Sequence, residues 1–410
     1  MAIVRRNLLR GGAMVAATIG ARRNAFATPD SAPESPPWLH EQGAPALSPP
    51  YGNPSPFEKG VIRRSRVPSP LPTVASSLTP LQDMHGIITP GGLHYERHHA
   101  GVPAIDPDRH RLLVHGLVER PLVFTIDDLL RFPSVSRICF LECSGNTPLW
   151  KSVPDSWTVQ STHGLLSCSE WTGVRVADIL DQTGLQPGAR WALAEGADAA
   201  AMTRSIPIET MLTEAIIAYA QNGERLRPEQ GYPVRLLLPG FEGNTSIKWL
   251  HRLKIGVDPW QTREETSRYT DLLPGGKARQ FAFVMEVKSV ITAPSGGQSL
   301  KTPGFCEIRG LAWSGRGRIV RVEVSTDGGQ SWQDAVLQEP VLSKCLTRFR
   351  LPWRWDGTPG LLLSRATDET GAVQPTREAL VAERGTNSRY HYNAIHGWRL
   401  GRDGSLLSAA

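Results

Sequence analysis

The sequence contains few cysteines, and none of them form the pairs that bind zinc or haem. Five cysteines are spread over 410 residues, and neither Cys-x-x-Cys nor Cys-x-x-Cys-His occurs. These absences argue against a structural zinc site and exclude covalent attachment of a c-type haem to this chain. No flavin or iron–sulfur pattern is recognisable. Because five is an odd number, at least one thiol is unpaired.

Long apolar runs are also missing, and the excess positive charge lies at the amino terminus. The apolar run from Gly11 to Gly20 is too short to span a bilayer, so we expect no membrane span. Residues 1–27 hold five arginines and no acid, and the net charge of +6 falls to +1 without them. The composition therefore gives no support for nucleic-acid binding.

The same segment predicts export. The pair Arg5-Arg6 precedes the weakly apolar run, and the small-residue site Ala25-Phe26-Ala27 follows it. This order is typical of a twin-arginine signal peptide, predicted over residues 1–27, and a disordered basic tail is the alternative. We therefore expect a periplasmic protein. Twin-arginine export is normally used by proteins that fold before they cross the membrane, often around a cofactor.

Composition and periodicity divide the rest of the chain into segments. Residues 28–74 are rich in Pro, Ser and Gly, which predicts an extended arm. At 75–258 predicted strands outnumber helices without regular alternation, so we expect a mixed α+β domain. A polar linker at 259–280 precedes short alternating strands at 281–384, typical of an immunoglobulin-like β-sandwich. Residues 385–410 are predicted to form a separate C-terminal tail.

Local signals place several elements within this outline. Thr125 is a predicted helix N-cap, and Gly184 a predicted helix end. Asn222-Gly223 and Asp327-Gly328-Gly329 predict hairpin turns. The segment from Lys151 to Cys168 shows no clear periodicity and is expected to be irregular.

One cysteine stands at the end of a predicted buried strand. The short β-branched and aromatic run Val135–Leu141 predicts the strand, and Ser144-Gly145-Asn146 supplies a turn. Cys143 lies between them, and the glycine two residues on permits close approach to the backbone. A thiolate there suits a soft-metal ligand or a nucleophile, and an inert buried thiol is the alternative. Cys139, within the strand, is expected to be a buried structural thiol.

Five motifs occur in this order along the chain: Glu142-Cys143-Ser144-Gly145-Asn146, Trp171-Thr172-Gly173-Val174, Ala218-Tyr219-Ala220-Gln221-Asn222-Gly223, Gly231-Tyr232-Pro233-Val234-Arg235 and Ser246-Ile247-Lys248-Trp249-Leu250. Their sequences and order resemble the sulfite oxidase family of molybdenum-cofactor enzymes. A stretch from Gly310 to Trp332 is similar to that family's dimerisation domain. Within the family, three further stretches look most like the molybdenum subunit of bacterial sulfane dehydrogenase, the SoxC type: Leu81-Gln82-Asp83, Gly86-Ile87-Ile88-Thr89-Pro90 and Arg97-His98-His99.

The resemblance implies a cofactor, molybdopterin, and a role for individual residues. Cys143 would be the protein thiolate on molybdenum, Tyr219 the active-site tyrosine and Arg97 a contact to the substrate anion. Arg318, with Arg316 nearby, would extend the cationic pocket from the second domain. The residues that match pterin or phosphate contacts are Tyr95, Arg97, His98, His99, Asp198, Arg235, Ser246 and Lys248.

Several of these residues have ordinary alternatives. The loop that carries Arg97 could be a solvated polar loop, and Tyr219 could be a core tyrosine. Arg235, inside an apolar run, requires a buried partner, which could be a pterin phosphate or a structural carboxylate.

Two departures from the family pattern bear on function. The family commonly has basic residues directly after the cysteine turn, where this chain has Thr147-Pro148. Less positive charge there disfavours a small free dianion such as sulfite and favours a larger, carrier-held sulfur substrate. Gln230 replaces a pterin-contacting histidine, so that contact is in doubt.

Three functions compete at this stage. The first is a dehydrogenase that oxidises sulfane sulfur, held as a persulfide on a carrier protein. The second is a sulfite:cytochrome c oxidoreductase, and the third is an exported, non-enzymatic partner-binding protein. For the enzymes we expect electron transfer to a c-type cytochrome subunit and a homodimer within a hetero-oligomer. We also expect the C-terminal tail to contact the partner subunit.

Overall fold

The computed structural model describes residues 54–65, 71, 73–281 and 283–409. The predicted signal peptide at 1–27 lies outside these residues, as does most of the predicted arm at 28–74. Within the described ranges, no helix combines the length and the apolar character that crossing a membrane would require.

The amino-terminal part, up to residue 256, is built mainly from strands, as its β-branched and aromatic runs predict. Its strands are β1 Ser76–Ser77, β2 Glu96–Arg97, β3 Leu112–Gly116, β4 Leu122–Phe124, β5 Ser134–Glu142, β6 Leu166–Arg175, β7 Trp191–Gly196, β8 Thr203–Pro207, β9 Ile216–Gln221, β10 Glu224–Arg225, β11 Arg235–Leu237 and β12 Leu250–Gly256.

The strands of the remaining chain pair with antiparallel neighbours. They are β13 Asp271–Leu272, β14 Ala278–Arg279, β15 Lys288–Ala293, β16 Gly304–Trp313, β17 Ile319–Ser325, β18 Gln333–Asp334, β19 Val336–Gln338, β20 Thr347–Trp355, β21 Gly360–Asp368, β22 Gly397–Leu400 and β23 Leu406–Ala409.

The helices are short, and their ends follow the predicted capping signals. Thr125 caps the first helix through a reciprocal hydrogen-bonded pair with Asp128. Gly184, with φ of +67°, ends the third helix, where a residue with a side chain would be strained. The helices are α1 Ile126–Leu130, α2 Val159–His163, α3 Val176–Thr183, α4 Ile208–Thr213, α5 Arg263–Ser267 and α6 Arg377–Arg384.

Two five-stranded sheets organise the amino-terminal domain. One has the order β4-β3-β12-β7-β8, with β3 and β12 parallel and the other pairs antiparallel. The other has the order β10-β9-β6-β5, with β11 added on β9. Helices α3 and α4 cover apolar residues between them, among them Ile179 and Met211. The predicted mixed α+β class is confirmed.

Strand β6 was not expected from the sequence. It begins within the segment predicted to be irregular, and it pairs along its length with β5, from Glu142↔Leu166 to Ser134↔Val174. Small polar residues such as Ser167 and Ser169 interrupt its apolar pattern, yet both are fully buried. The hydroxyl of Ser167 contacts Thr79, and Ser169 accepts a hydrogen bond from Gln221. Paired hydroxyls thus replace the apolar side chains that make a buried strand recognisable.

The second domain is a two-sheet antiparallel sandwich, as predicted. Its sheets have the orders β15-β16-β20-β19 and β18-β17-β21-β22-β23. The turn at Asp327-Gly328-Gly329 connects β17 to β18, as its sequence predicts. Strands β22 and β23 continue the second sheet beyond residue 384, where a separate tail was expected, and α5, β13 and β14 lie in the expected linker.

The two domains share one apolar core. Phe140 of β5 and Leu166 of β6 belong to the same buried cluster as Trp313, Phe349 and Trp398 of the sandwich. The sheet that carries Cys143 at the end of β5 is therefore supported from behind by the second domain.

Candidate active site

A cavity of about 330 Å³ lies at the end of strand β5. That volume falls at the lower end of the range for small-molecule and cofactor sites. Segments distant in sequence form its wall. Its polar and aromatic lining includes Tyr95, Arg97, His98, His99, Cys143, Asp198, Gln230, Arg235, Asn244, Ser246, Lys248, Tyr269 and Tyr390.

Cys143 is held by its backbone at the cavity wall. Its N–H donates to the carbonyl of Leu165 at 3.0 Å, and its carbonyl accepts from the N–H of Asn146 at 2.8 Å. Burial raises the pKa of the thiol, against the opposing effects of the Gly145 backbone N–H and of Arg97. Without a metal the group is a thiol, and coordination would hold it as a thiolate.

Glu142, directly before Cys143, carries a buried carboxylate with three donors. Two come from the second domain: Lys288 Nζ at 2.8 Å and Trp313 Nε1 at 2.6 Å. The third is Asn146 Nδ2 at 2.9 Å, from the turn itself. Burial lowers the pKa of Lys288, although the Glu142 carboxylate opposes that shift. The turn that presents Cys143 is thus linked to β15 by a buried ion pair and to β16 by a hydrogen bond.

Glu242, whose backbone forms an isolated parallel bridge with that of Glu142, carries a second buried carboxylate. It is 2.7 Å from Arg204 Nη1, in an ion pair that is not aligned as a hydrogen bond, and 3.1 Å from His391 Nε2. Burial would raise the pKa of Glu242, but Arg204 and His391 lower it overall. Arg204 also lies 4.4 Å over the ring of Tyr269. Groups from β8 and from the C-terminal segment therefore surround the Glu242 carboxylate, and the backbone N–H of His391 also donates to the carbonyl of Ser144 in the Cys143 turn.

Part of the cavity wall is cationic and includes Lys248 and Arg97. Lys248 Nζ donates to the carbonyls of Arg97 (3.2 Å) and Glu229 (3.1 Å) and lies 3.0 Å from His98 Nδ1. His98 Nε2 contacts Glu96 at 2.9 Å. Burial lowers the pKa of Lys248 well below its ordinary value and that of His98 to about 3, so His98 is neutral. Positive charge gathered here, with neutral carbonyls as its main partners, suits an anion.

Arg235 is buried, and among the described residues it pairs with no carboxylate, which was one of its two expected partners. Its guanidinium donates to the carbonyls of Gln230 at 3.0 Å and Ser246 at 2.8 Å and lies 5.0 Å over the ring of Trp171. Burial lowers the pKa of Arg235 to about 10. Gln230 itself lines the cavity and donates to the carbonyl of Tyr95 at 3.1 Å. Gln230 therefore lines the cavity at the position where the family pattern has a histidine.

Two of the predicted site residues lie away from the cavity. Side chains alternate along β9. Ala218 packs in the cluster of Tyr95 and Cys143, whereas Tyr219 packs with Ile217 in the cluster that includes the apolar residues of α3 and α4. The expected active-site role of Tyr219 is thus not matched by its position.

Arg318 was also expected at the pocket. Its side chain is 60% exposed and pairs with Glu369 at 3.2 Å, while Arg316 pairs with Glu286 at 2.9 Å. Both arginines are therefore neutralised outside the pocket.

The sequence did not identify Tyr269 and Tyr390 as site residues. Both line the cavity, with ring centroids 5.4 Å apart in a stacked arrangement. Tyr269 lies in the expected linker and Tyr390 in the expected tail, where no periodicity marks a buried face. Their only sequence signal is that each is an aromatic residue inside a polar segment.

The cavity fits an anionic pterin cofactor. Three buried polar atoms at its wall have no hydrogen-bond partner among the described residues: Asp198 Oδ1, Arg235 Nε and Asn244 Oδ1. Buried polar atoms are normally paired, so this mixture of one cationic donor and two acceptors indicates a polar ligand. A pterin edge supplies complementary donors and acceptors, and its phosphate matches the cationic wall around Lys248.

Comparisons with known proteins identify the class. Residues 99–263 match the model of the oxidoreductase molybdopterin binding domain, and residues 279–397 match that of the Mo-co oxidoreductase dimerisation domain. The chain belongs to the sulfite oxidase family of molybdopterin oxidoreductases.

Within that class, one solved structure covers almost the whole chain. The crystal structure of the sulfane dehydrogenase SoxCD from Paracoccus pantotrophus is 44% identical, with a TM-score of 0.89 over 92% of this chain and 97% of that chain. Mitochondrial sulfite oxidase of Rattus norvegicus is 33% identical over 61% of this chain and 49% of its own length. Nitrate reductase [NADH] of Ulva prolifera is 31% identical over 71% of this chain and 38% of its own length. The chain thus spans less than half the length of these two curated relatives.

Proposed function

We propose that this chain is a molybdenum-dependent sulfane dehydrogenase, which oxidises a sulfane sulfur held as a persulfide on a carrier protein. The observation that carries the proposal is the convergence of Cys143, the cationic wall and two tyrosines on one cavity. The 44% identity to a sulfane dehydrogenase over nearly the whole chain supports this substrate class.

The residues of the cavity divide between cofactor and substrate. Cys143 would bind molybdenum, and Lys248, Arg97 and the two neighbouring histidines His98 and His99 would hold the phosphate. The edge of the pterin would meet Asp198, Tyr95, Gln230, Arg235, Asn244 and Ser246. When bound, the cofactor supplies oxygen-atom transfer to sulfur and accepts two electrons.

The protein's own part is to orient the sulfur and stabilise charge on it. Burial raises the pKa of Tyr269 well above its ordinary value, and the charge of Glu242 adds to that effect. Its phenol therefore stays protonated and can donate to an oxygen forming on sulfur. Arg97 would neutralise that oxygen's charge.

The turn after Cys143 favours the persulfide over free sulfite. Thr147 is fully buried with a φ of 54°, and neither it nor Pro148 brings a cation to the metal side of the cavity. A free dianion would lack that charge, whereas a persulfide on a carrier gains binding energy from the carrier surface. Sulfite:cytochrome c oxidoreductase activity is the second candidate, favoured by the identity to sulfite oxidases.

We infer that a c-type cytochrome subunit accepts the electrons, that the second domain forms a homodimer within a hetero-oligomer, and that the twin-arginine signal directs the protein to the periplasm. The dimerisation-domain match and the similarity to SoxCD support the assembly.

The test compares substrates on purified, molybdenum-loaded enzyme with cytochrome c as acceptor. We expect a kcat/KM for a carrier-bound persulfide at least ten-fold above that for sulfite. Faster turnover of sulfite would favour the second candidate. A protein purified without molybdenum from a host that makes the cofactor would contradict both and favour the binding-protein alternative.

A further inference from the structure

The C-terminal segment before β22 reaches the turn that carries Cys143. A Cβ atom added to Gly145 would lie 3.3 Å from Cε1 of Tyr390 and 3.8 Å from Cys143 Sγ. The Tyr390 ring and the Cys143 sulfur therefore flank the same glycine. Tyr390 also stacks on Tyr269 at 5.4 Å, with 27° between the ring planes.

Neighbouring contacts fix the position of Tyr390. Its carbonyl accepts a hydrogen bond from Trp150 Nε1 at 3.1 Å. The next residue, His391, donates its backbone N–H to the carbonyl of Ser144 at 2.9 Å, and its imidazole contacts Glu242 at 3.1 Å. His391 has a φ of 54°, an unfavourable conformation for a residue with a side chain. These contacts hold the backbone on both sides of the Tyr390 side chain against the Cys143 turn.

A purely structural role would leave the Tyr390 ring buried in the core, and it is not. Tyr390 is only partly buried and lines the cavity, whereas Tyr392, two residues on, is 2% exposed and packs edge-on against Trp150. A phenol is protonated at neutral pH, so the Tyr390 hydroxyl can donate a hydrogen bond into the cavity that it lines.

We propose that Tyr390 contacts the substrate: its phenol, beside that of Tyr269, donates a hydrogen bond to an oxygen of an oxidised sulfur group bound next to Cys143. The ligand class is a sulfur oxyanion or the sulfonate-like end of a carrier-held group. The inference rests on the proposed function for its catalytic meaning, but the anion contact itself can be measured by binding.

The experiment compares Tyr390→Phe with Tyr392→Phe in molybdenum-loaded enzyme. Both variants lose one phenol from the same segment, but Tyr392 does not line the cavity. Sulfate binding is measured by titration calorimetry, and sulfite turnover by steady-state kinetics. Loss of one hydrogen bond to an anion should weaken sulfate binding about ten-fold in Tyr390→Phe and raise KM for sulfite similarly. Tyr392→Phe should stay within about two-fold of wild type in both.

The two readouts separate this inference from the proposed function. Weakened sulfate binding in Tyr390→Phe, in a protein that oxidises no sulfur compound, would support the contact and contradict the function. Unchanged sulfate binding and KM in Tyr390→Phe, or an equal loss in both variants, would overturn the inference. It would also be overturned if wild type bound no sulfate, or if Tyr390→Phe lost its molybdenum, since the residue would then support the cofactor.

Discussion

The buried ion pair between Lys288 and Glu142, which joins the two domains next to Cys143, should contribute measurably to the free energy of unfolding. Both groups are almost completely buried, and removal of one partner from a buried pair costs about 3–5 kcal/mol. Trp313 and Asn146 still donate to the carboxylate when Lys288 is replaced, so we expect the lower end of that range for Lys288→Met, about 3 kcal/mol.

The double variant Lys288→Met, Glu142→Gln removes both charges and should recover most of the loss, to within about 1 kcal/mol of wild type. Urea unfolding, followed by tryptophan fluorescence, measures both, and molybdenum content reports on the turn before Cys143. Arg399→Met, which breaks a surface pair with Asp155, is the control and should cost at most about 1 kcal/mol. A loss below about 1 kcal/mol for Lys288→Met, or no recovery in the double variant, would refute the reasoning.

Three further predictions follow from other contacts. Tyr269→Phe should lower kcat/KM about ten-fold, whereas Tyr219→Phe should stay within about two-fold of wild type. Steady-state kinetics measure both, and the reverse result would support Tyr219 as the active-site tyrosine. Gly243→Ala places a Cβ atom 2.6 Å from the Tyr95 hydroxyl and 3.0 Å from the Glu142 carbonyl. The substitution should lower the free energy of unfolding by about 1–3 kcal/mol and reduce the molybdenum content. An unchanged melting temperature would contradict this. Burial would raise the pKa of Glu214, but Lys344 and Arg137 lower it overall. Glu214→Gln should therefore be less stable than wild type at neutral pH, by at most about 1 kcal/mol, and this difference should disappear as the pH falls through the lowered pKa. A difference in unfolding free energy that does not change with pH would contradict this.

Local chemistry made much of the fold predictable. The Thr125 cap, the hairpin at Asp327-Gly328-Gly329 and the strand ending at Cys143 each depend on a few adjacent residues, and the structure contains all three. Strand β6 was missed because buried hydroxyls at Ser167 and Ser169 conceal its apolar face.

The site was predictable only where motifs are contiguous. The residues around Arg97, Cys143 and Lys248 meet at one cavity, as expected from their motifs. The face of β9 on which Tyr219 lies depends on register, which the sequence pattern did not establish. Tyr390 lies more than a hundred residues after Lys248 in the sequence and reaches the cavity through contacts between the folded domains. No local sequence pattern therefore predicts its position.

The central claim, that Cys143 is the protein ligand of molybdenum, is tested most directly by X-ray absorption at the molybdenum edge. Wild-type enzyme should show one more sulfur ligand than Cys143→Ser loaded with the same cofactor, and turnover should be abolished in the variant while its fold remains. The same number of sulfur ligands in both proteins, with activity retained, would contradict the account.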